Sequence, residues 1–492
     1  MIKLKLFINN EWVDSSDGNS FESKDPSKNE VIATISSATK DDVDKAVKAA
    51  RDALPSWSGL DCNERADLMI KAANIIRRRK KELAKWEAMD VGKPILEAED
   101  GDMYMAIKAM EHFANLSRCL KGSVIPLPGN KEFDYETYEP YGVVGAIVPW
   151  NFPIHIGTRA ICPALAAGNT VVLKPSTLAP ITCTILGEIF IEAGFPKGVL
   201  NIINGSGSVA GKAIIYNSDI DMISFTGSTK IGREVLKASS ETNLKKVILE
   251  LGGKGPFIAE VDCNVDQAVN SVIIGFCYMQ GEVCCASTRL YIHQNIYNGF
   301  IEKLVSRCND IKIGPTLDPE TQMGSLINEE QLVIVDNFVK EAIKDGARLL
   351  CGGERYDIPP CDKGNFYKPT VLEVKDNDLK CVQEEIFGPV LVVRKYKNLD
   401  EAIKLANDSK YALGASIWSE DTKKLYWSAK KLNAGIVWMN TNLESKIEAS
   451  YGGNKLSGVG REGGLVGLME YLKVKNNVLY IGPERNYYNF KK

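Results

Sequence analysis

The sequence is poor in histidine. His112, His155 and His293 are the three histidines among 492 residues, and they lie far apart along the chain. A histidine-rich metal site is therefore not expected, and the sequence has no Cys-x-x-Cys pair to replace it. A cysteine–histidine hydrolase would have to recruit one of three isolated histidines. We predict no metal centre.

The chain also lacks a basic surplus and long apolar runs. Its formal net charge of −3 gives no excess of cations for a phosphate backbone, and no apolar stretch reaches the length of a membrane span. The N-terminus has lysines within a short alternating run and no small-residue cleavage site, which favours a strand over a signal peptide. Twelve cysteines without a repeating spacing are typical of reduced thiols. We therefore expect a cytoplasmic protein without nucleic-acid or membrane partners.

The length allows two or three domains with their own cores. Apolar residues at helical spacing, for example Val43, Ala46, Val47 and Ala50, predict amphipathic helices within residues 41–118. Prolines and glycines make residues 122–141 extended and loop-like. Residues 471–481 alternate like an edge strand, which would pair with another subunit or within its own chain.

Between these regions, short apolar strands alternate with helices. We predict strands at 143–148, 170–174, 199–203 and 222–226, and helices at 156–167, 181–193, 209–216 and 231–238. A second α/β block follows Gly253, with apolar segments at 272–276 and 290–292 and helices at 296–308 and 330–345. The fold class is therefore α/β with parallel sheets covered on both faces, and ligands would bind beyond the carboxyl ends of the strands.

A thiol, a carboxylate and an amide stand out. Cys284 follows Gly281 and precedes a second cysteine and Ala286, which leaves space around its sulfur; Glu250 ends an apolar strand; Asn151 lies in an apolar turn. Together they can oxidise an aldehyde, because the thiol attacks the carbonyl, the amide stabilises the oxyanion and the carboxylate activates water. The structural alternatives are a packed thiol, a solvated glutamate and a turn-capping asparagine.

Two glycine patterns suggest nucleotide binding. Residues 205–211 resemble a dinucleotide fingerprint with the wrong last spacing, so that signal is weak. Residues 225–232 are better placed, because they follow a strand and open a helix whose N-terminus can receive a pyrophosphate.

Several motifs together resemble the NAD(P)-dependent aldehyde dehydrogenase superfamily. They are Pro-Trp-Asn-Phe-Pro at 149–153, Phe-Thr-Gly-Ser-Thr-Lys-Ile-Gly at 225–232, Glu-Leu-Gly-Gly-Lys at 250–254, Gly-Glu-Val-Cys-Cys-Ala at 281–286, Glu-Glu-Ile-Phe-Gly-Pro at 384–389 and Gly-Gly-Asn-Lys-Leu-Ser-Gly at 452–458. The resemblance implies a Rossmann-like cofactor domain (1–118 and 141–251), an α/β catalytic domain (252–467) and a small β oligomerisation element (119–140 and 468–492). It also implies a homodimer or homotetramer.

The resemblance assigns roles to individual residues. Cys284 would be the nucleophile, Asn151 and the Cys284 backbone N–H the oxyanion hole, and Glu250 the base that hydrolyses a thioester to the free acid. Lys174 would contact the adenosine ribose, Ser228 the pyrophosphate, and Glu385 with Phe387 the nicotinamide riboside. The other expected cofactor contacts are Val148, Pro149, Trp150, Ser176, Thr177, Gly207, Phe225, Gly227 and Leu251.

The chain departs from the common family pattern at two positions that bear on ligands. Thr177 replaces a glutamate that would repel a 2′-phosphate, so NADP is favoured, with NAD possible. Arg159 stands where many members have tryptophan, which favours a polar or anionic substrate unless the arginine pairs internally with a glutamate. With Tyr278 in place of a second arginine and Lys446 as a potential replacement charge, we expect lactaldehyde or glyceraldehyde first and succinate semialdehyde second.

Three further positions and two alternatives remain. Glu282 should point away from the sulfur, since a like charge would slow attack, and Cys285 should pack or, less favourably, pair oxidatively with Cys284. Met279 has no interpretation. The non-enzyme alternative is a catalytically silent protein of the same fold, and a simple Rossmann alcohol dehydrogenase would need none of the three motif-embedded residues.

Overall fold

A computed structural model describes residues 1–129 and 131–483. Eight strands of this described chain form a largely parallel sheet. Across the sheet the strands run in the order Gly458–Val459, Lys246–Glu250, Met222–Thr226, Val143–Ile147, Thr170–Lys174, Leu200–Ile202, Leu6–Ile8 and Glu11–Val13. Four central strands end at one edge, which gathers Lys174, Thr226 and Glu250 beside the turn that follows Ile147.

Helices cover both faces of this sheet. Their bounds are Lys40–Ser58, Cys62–Arg78, Lys80–Val91, Met103–Arg118, Pro153–Ala166, Ile181–Ala193, Lys212–Ile215 and Thr229–Glu241. The first begins with a capping box, in which the Thr39 side chain accepts from the Asp42 N–H and the Asp42 carboxylate accepts from the Thr39 N–H. Its apolar face, which includes Val43 and Val47, is buried against the sheet.

A second sheet of seven strands is built from the C-terminal half of the described chain. Its order is Arg348–Cys351, Thr370–Glu373, Val390–Tyr396, Ser287–His293, Gly255–Ala259, Gly414–Trp418 and Ile436–Met439. The accompanying helices are Val265–Cys277, Tyr297–Asn309, Glu329–Lys344, Lys380–Gln383, Leu399–Asn407 and Thr422–Lys431, whereas the helix Gly464–Met469 packs against Met103–Arg118 and Pro153–Ala166 of the first layer.

Smaller β units complete the fold. Leu472–Tyr480 pairs antiparallel with Glu132–Pro140, which pairs in turn with Ser123–Ile125. Near the N-terminus, Glu30–Ser36 lies between Ile2–Leu4 and Ser20–Asp25, and Tyr411–Ala412 pairs with Asn454–Lys455. The predicted edge strand thus pairs within its own chain. Residues 484–492 of the predicted oligomerisation element lie outside the described residues.

The predicted α/β class is confirmed, and the strands at 170–174 and 222–226 and the helix at 181–193 are confirmed to the residue. Other bounds shift for local reasons. The helix predicted at 156–167 begins at Pro153, because proline is well suited to the first turn. Residues 209–216 divide into a π-turn, Gly207–Gly211, and the short helix Lys212–Ile215, while the apolar segment 272–276 belongs to the helix Val265–Cys277. The domain division stays a prediction, and the strand Gly458–Val459 crosses it by joining the first sheet.

A buried charge cluster joins these layers beneath the 153–166 helix. Lys93 forms an ion pair with Asp102, and its Nζ lies 4.3 Å from the centroid of the Phe152 ring. The Glu87 carboxylate accepts from the Ile154 N–H at 3.3 Å. Burial raises the pKa of both Glu87 and Glu97 to about 8. Burial also raises the pKa of Asp102, and the contact with Lys93 opposes that rise.

Replacing Lys93 by methionine is expected to destabilise the protein strongly. The Lys93→Met variant leaves Asp102 buried without its cation, which should lower the free energy of unfolding by about 3–5 kcal/mol in urea titrations. The double variant Lys93→Met/Asp102→Leu should recover most of that loss. Lys5→Met, which removes the exposed Lys5–Asp14 pair, is the control and should change stability by less than about 1 kcal/mol. Strictly additive losses in the double variant would contradict the pairing.

Candidate active site

The three predicted catalytic residues line one cavity. Cys284, Glu250 and Asn151 surround a space of about 240 Å³ between the two large sheets. Glu250 ends a strand of the first sheet, Asn151 lies in the turn before the 153–166 helix, and Cys284 lies in the loop before the strand Ser287–His293. Residues distant in sequence are thus brought to one point by the ends of neighbouring elements.

The loop that carries Cys284 has an unusual backbone. Met279 and Gln280 have left-handed φ values of 51° and 52°, and Gly281 follows at 74°. A Cβ atom on Gly281 would lie 2.3 Å from the Gly388 carbonyl oxygen, so this position requires glycine. Left-handed non-glycine residues persist when surrounding contacts fix them.

Hydrogen bonds to other segments of the chain hold this loop in place. The Met279 N–H donates to Glu97 at 3.0 Å, and the Gln280 side chain donates to the Ser325 carbonyl at 3.1 Å and accepts from the Gly324 N–H at 3.2 Å. Glu282, fully buried, accepts from the Ile327 N–H at 3.1 Å, so its carboxylate faces that segment, as expected. The contact between Glu97 and the Met279 N–H thus stabilises this loop, which the sequence analysis did not predict.

The Cys284 thiol lies half-buried beside two other polar groups. Its Sγ is 3.6 Å from the Tyr451 hydroxyl, and the Cys285 thiol is adjacent in the chain. The neighbouring Cys285 thiol, followed by burial, raises the pKa of Cys284, whereas Tyr451 and Arg159 lower it. Cys285 itself packs in an apolar cluster, which confirms the packing expected for it.

Glu250 is buried without a hydrogen-bond partner for either carboxylate oxygen in the described structure. Burial is the main cause that raises its pKa well above the ordinary glutamate value, and the nearby Glu462 raises it further. A Cβ atom on Gly452 would lie 2.6 Å from Glu250 Oε1, so a glycine makes room for the carboxylate. Such a group is suited to take a proton from water.

The Asn151 amide is tied to the cysteine loop. Its Nδ2 donates to the Glu282 carbonyl at 2.8 Å, and Asn151 is almost fully buried. The Nδ2 group carries a second hydrogen, and the residue lines the cavity beside Cys284. The amide is thereby held in a fixed orientation relative to the sulfur.

Arg159 is paired internally, as the alternative interpretation allowed. Its Nε lies 2.5 Å from a Glu462 carboxylate oxygen, and its guanidinium lies 4.7 Å from the centroid of the Tyr451 ring. Its Nη2 is buried without a hydrogen-bond partner in the described structure. Sequence reasoning missed Tyr451 and Glu462, although Tyr451 directly precedes the recognised 452–458 motif.

Tyr278 and Lys446, predicted as substrate contacts, do not line the cavity of Cys284 as the described residues define it, and neither does Arg159. The Tyr278 ring stacks on Phe152 at 6.1 Å, and both rings pack against the apolar cluster that contains Cys285. Lys446 has a side chain that is 70% exposed and pairs with Glu444 at 3.3 Å. The substrate roles of these residues stay predictions.

A second cavity of about 490 Å³ adjoins the first and shares Pro149, Trp150, Thr226, Gly227 and Ser228 with it. The predicted cofactor residues that line it are Val148, Pro149, Trp150, Lys174, Ser176, Thr177, Gly207, Phe225, Gly227 and Ser228. The other three, Leu251, Glu385 and Phe387, line the first cavity. Lining residues that the sequence analysis missed include Ser208, Lys212, Ile215, Ile231, Glu234 and Gln331.

The two connected cavities fit a dinucleotide. One half lies over the N-terminus of the helix Thr229–Glu241, which Ser228 caps, and a phosphate is stabilised at such a position. At the other half, Glu385 accepts from the Gly253 N–H at 2.8 Å, and burial raises its pKa to about 7. A Cβ atom on Gly252 would lie 2.2 Å from Glu385, so only glycine leaves this carboxylate in place.

The sequence and the fold were compared with known proteins. The model of the aldehyde dehydrogenase family matches residues 12–477. The chain is 41% identical over 485 residues to aldehyde dehydrogenase 1A1 of Gallus gallus, covering 98% of this chain and 94% of that protein. It is 40% identical over 474 residues to an aldehyde dehydrogenase of Enchytraeus buchholzi, covering 96% and 94%.

Solved structures agree with this assignment. The NAD+ complex of aldehyde dehydrogenase from Bacillus cereus superposes with a TM-score of 0.95 at 39% identity, covering 97% of each chain. The aldehyde dehydrogenase KauB of Pseudomonas aeruginosa gives 0.95 at 36% identity, covering 98% of this chain and 97% of that one. The chain belongs to the aldehyde dehydrogenase family and is an NAD(P)-dependent oxidoreductase that acts on aldehydes.

Proposed function

We propose that this enzyme oxidises a small hydroxyaldehyde of the lactaldehyde or glyceraldehyde type to the free acid, with NADP preferred over NAD. The observation that supports the substrate class is the buried Nη2 of Arg159, which has no hydrogen-bond partner in the described structure although the Nε of the same guanidinium pairs with Glu462. A balanced arginine retains N–H donors for a hydroxyl group, whereas an anionic substrate would compete with Glu462.

The chemistry begins with addition of the Cys284 sulfur to the aldehyde carbonyl. Asn151 Nδ2 and the Cys284 N–H would stabilise the developing oxyanion, because their positions are set before the substrate arrives. Tyr451, 3.6 Å from the sulfur, would stabilise the thiolate by donating its hydroxyl hydrogen. The nicotinamide supplies the hydride acceptor when it is bound.

The resulting thioester is then hydrolysed. Glu250 would remove a proton from water, and burial without a partner raises the pKa of its carboxyl group, which makes the carboxylate a stronger base. Water adds to the acyl carbon, the C–S bond breaks, and the acid leaves while Cys284 regains its proton. A free carboxylic acid, and not a thiol ester, is therefore the expected product.

Glu250→Gln should separate acylation from hydrolysis. The variant keeps the shape of the side chain but loses the base, so steady-state kcat should fall about 10²–10⁴-fold while a first-turnover burst of NAD(P)H remains. Because the base acts deprotonated and its pKa is raised, wild-type activity should increase with pH across a limb above the ordinary glutamate range. That limb should disappear in Glu250→Gln. The exposed Glu444→Gln is the control, and an unchanged limb in Glu250→Gln would contradict the assignment.

The proposed preference for NADP depends on the residues that line one end of the second cavity. Lys174, Ser176 and Thr177 line it together, and a glutamate that would repel a 2′-phosphate is replaced by threonine. Glu234 also lines this cavity, but it lies 3.7 Å from the Lys212 Nζ, which offsets its charge. Hydroxyl and amine donors at this end suit a phosphate.

Thr177→Glu should reverse the preference. Wild-type kcat/KM should be higher with NADP, and the variant should lose about tenfold or more with NADP relative to NAD, because a carboxylate at this position repels the 2′-phosphate. Thr177→Gln, of similar size and without charge, should retain the wild-type order. A wild-type enzyme that favours NAD by tenfold or more would overturn the proposal.

Arg159 is tested with a panel of aldehydes. In Arg159→Ala, kcat/KM for lactaldehyde and glyceraldehyde should fall about 10–100-fold, the value of a lost hydrogen bond to a charged group, while propanal should change little. An equal loss for all three would show that Arg159 acts on Cys284 and not on the substrate. Glu462→Gln frees the arginine and should raise the relative rate with succinate semialdehyde. Succinate semialdehyde as the preferred wild-type substrate would favour the second candidate.

The small sheet is the proposed oligomerisation element. Its strand Leu472–Tyr480 exposes Val474, Val478 and Leu479, each more than half exposed in the single chain. An exposed apolar strand of this kind favours burial against another copy, and we propose a homodimer or homotetramer.

No helix of residues 1–129 and 131–483 has the length and apolarity to cross a bilayer. A cytoplasmic location is proposed; relatives include a cytosolic form in Mus musculus and a mitochondrial form in Mesocricetus auratus.

A further inference from the structure

Glu282 lies two residues before the nucleophile and is fully buried, but it does not line the cavity of Cys284 as described. Its backbone carbonyl oxygen accepts the hydrogen bond from Asn151 Nδ2 at 2.8 Å. Its side-chain Oε1 accepts from the Ile327 N–H at 3.1 Å. The residue thus contacts the proposed oxyanion donor through its backbone and a segment distant in sequence through its side chain.

Two turns hold the backbone on either side of the Glu282 carbonyl. The Glu282 N–H donates to the Met279 carbonyl at 2.9 Å, and the Ala286 N–H donates to the Val283 carbonyl at 3.1 Å. A residue that is bound at both its N–H and its side chain has little freedom to rotate. The Glu282 carbonyl therefore points in a fixed direction as long as the bond to Ile327 is present.

Ile327 is a firm anchor, because the chain just before it is bound to two other segments. The Ser325 N–H donates to the Gly92 carbonyl at 3.0 Å, and the Leu326 N–H donates to the Asn365 carbonyl at 2.9 Å. Ile327 itself is buried. The side chain of the glutamate is thus bound to a part of the fold that does not belong to the cysteine loop.

The helix that follows Ile327 continues the connection to the opposite wall of the cavity. Its Gln331 side chain donates to the Phe387 carbonyl at 2.8 Å, and the Phe387 and Trp150 rings meet edge-on with centroids 5.4 Å apart. Trp150 directly precedes Asn151, and these four residues line the cavity. The contacts therefore close a ring around the cavity, and the buried glutamate is a member of that ring that does not line the cavity itself.

The direction of the Glu282 carbonyl matters because the Asn151 amide has two hydrogens on one nitrogen. One hydrogen is bound to this carbonyl, and the other remains for the oxyanion. Hydrogen bonds weaken steeply as they bend, and a misplacement of about 1 Å can lower a rate on the order of 10²-fold. A carbonyl that turned would therefore move the second hydrogen away from the oxyanion.

We propose that Glu282 is a positioning residue for the addition step: its side chain, bound to Ile327, sets the carbonyl that orients the Asn151 amide toward the oxyanion. The role rests on the proposed function, because it requires an oxyanion on the substrate carbonyl. Glu282 acts through Asn151, and not on the sulfur or the cofactor.

The test replaces Glu282 by methionine, which has a similar volume but cannot accept from the Ile327 N–H. Single-turnover formation of NADPH, with the full-length enzyme in excess over glyceraldehyde, should become about 10–100-fold slower in Glu282→Met. The wild-type rate should return in Glu282→Gln, whose side-chain oxygen can accept the same hydrogen bond. The Kd for NADP and the rate of Cys284 alkylation by iodoacetamide should stay at their wild-type values in both variants.

A double-mutant cycle with Asn151→Ala isolates the route. Asn151→Ala alone should slow the single turnover about 10²–10³-fold, the effect of losing one oxyanion donor. Adding Glu282→Met should cause no further loss, because the amide that the glutamate orients is absent. Additive losses would overturn the positioning role and leave the proposed function intact. A wild-type rate in Asn151→Ala would instead contradict the proposed oxyanion hole, so the two failures are distinguishable.

Glu260→Met is the matched control for the loss of a buried glutamate. Glu260 accepts from the Tyr396 hydroxyl at 2.6 Å and from Lys424 at 2.8 Å, and it lines neither cavity as described. This variant should lower the Tm without changing the single-turnover rate.

Glu282→Asp replaces Glu282→Met if the methionine variant does not fold, because the shorter side chain keeps the carboxyl group but is one methylene too short to reach the Ile327 N–H. Loss of folded protein in both variants would assign Glu282 to the stability of the fold and overturn the proposal. A slow Glu282→Gln enzyme, or a Glu282→Met enzyme as fast as the wild type, would overturn it too.

Discussion

The active site depends on the left-handed turn that precedes Cys284. Met279 and Gln280 adopt a conformation that non-glycine residues seldom hold, and contacts from Glu97, Ser325 and Gly324 fix it. Asn151 then binds the carbonyl of Glu282 within the same loop. The Asn151 amide and the Cys284 sulfur are therefore both fixed by the same loop, and their separation is set before any ligand binds.

Burial is the main cause of the raised pKa values of the carboxyl groups near the site. Glu250, Glu462 and Arg159 are all deeply buried within a short distance of one another, and only Arg159 and Glu462 are ionically paired. Glu250 has no hydrogen-bond partner, and burial, followed by the charge of Glu462, raises its pKa, which is suited to a base. The arginine–glutamate pair thus stabilises charge while the third group stays reactive. A partner for Glu250 would stabilise the fold and weaken the base.

Motifs and periodicity predicted the α/β fold, and they singled out three residues that the structure brings to one cavity. Glu250 and the proposed cofactor contacts lie at strand ends and at a helix N-terminus, which local sequence patterns reveal. Tyr451, Glu462 and Glu97 were not predicted, because their parts arise from long-range packing between elements far apart in the chain. The stacking of the Tyr278 ring on Phe152 was not predicted either, and its substrate role stays a prediction. Lys446 is held at the surface by Glu444.

The short strand Gly458–Val459 comes from the C-terminal half of the chain, yet it hydrogen-bonds to the strand that ends at Glu250. The Leu251 N–H also donates to the Ser457 carbonyl at 2.9 Å. These backbone hydrogen bonds join the two halves of the molecule beside the proposed base. A wide hinge opening between them would break this ladder, so turnover must rely on small local rearrangements at the cavity mouth.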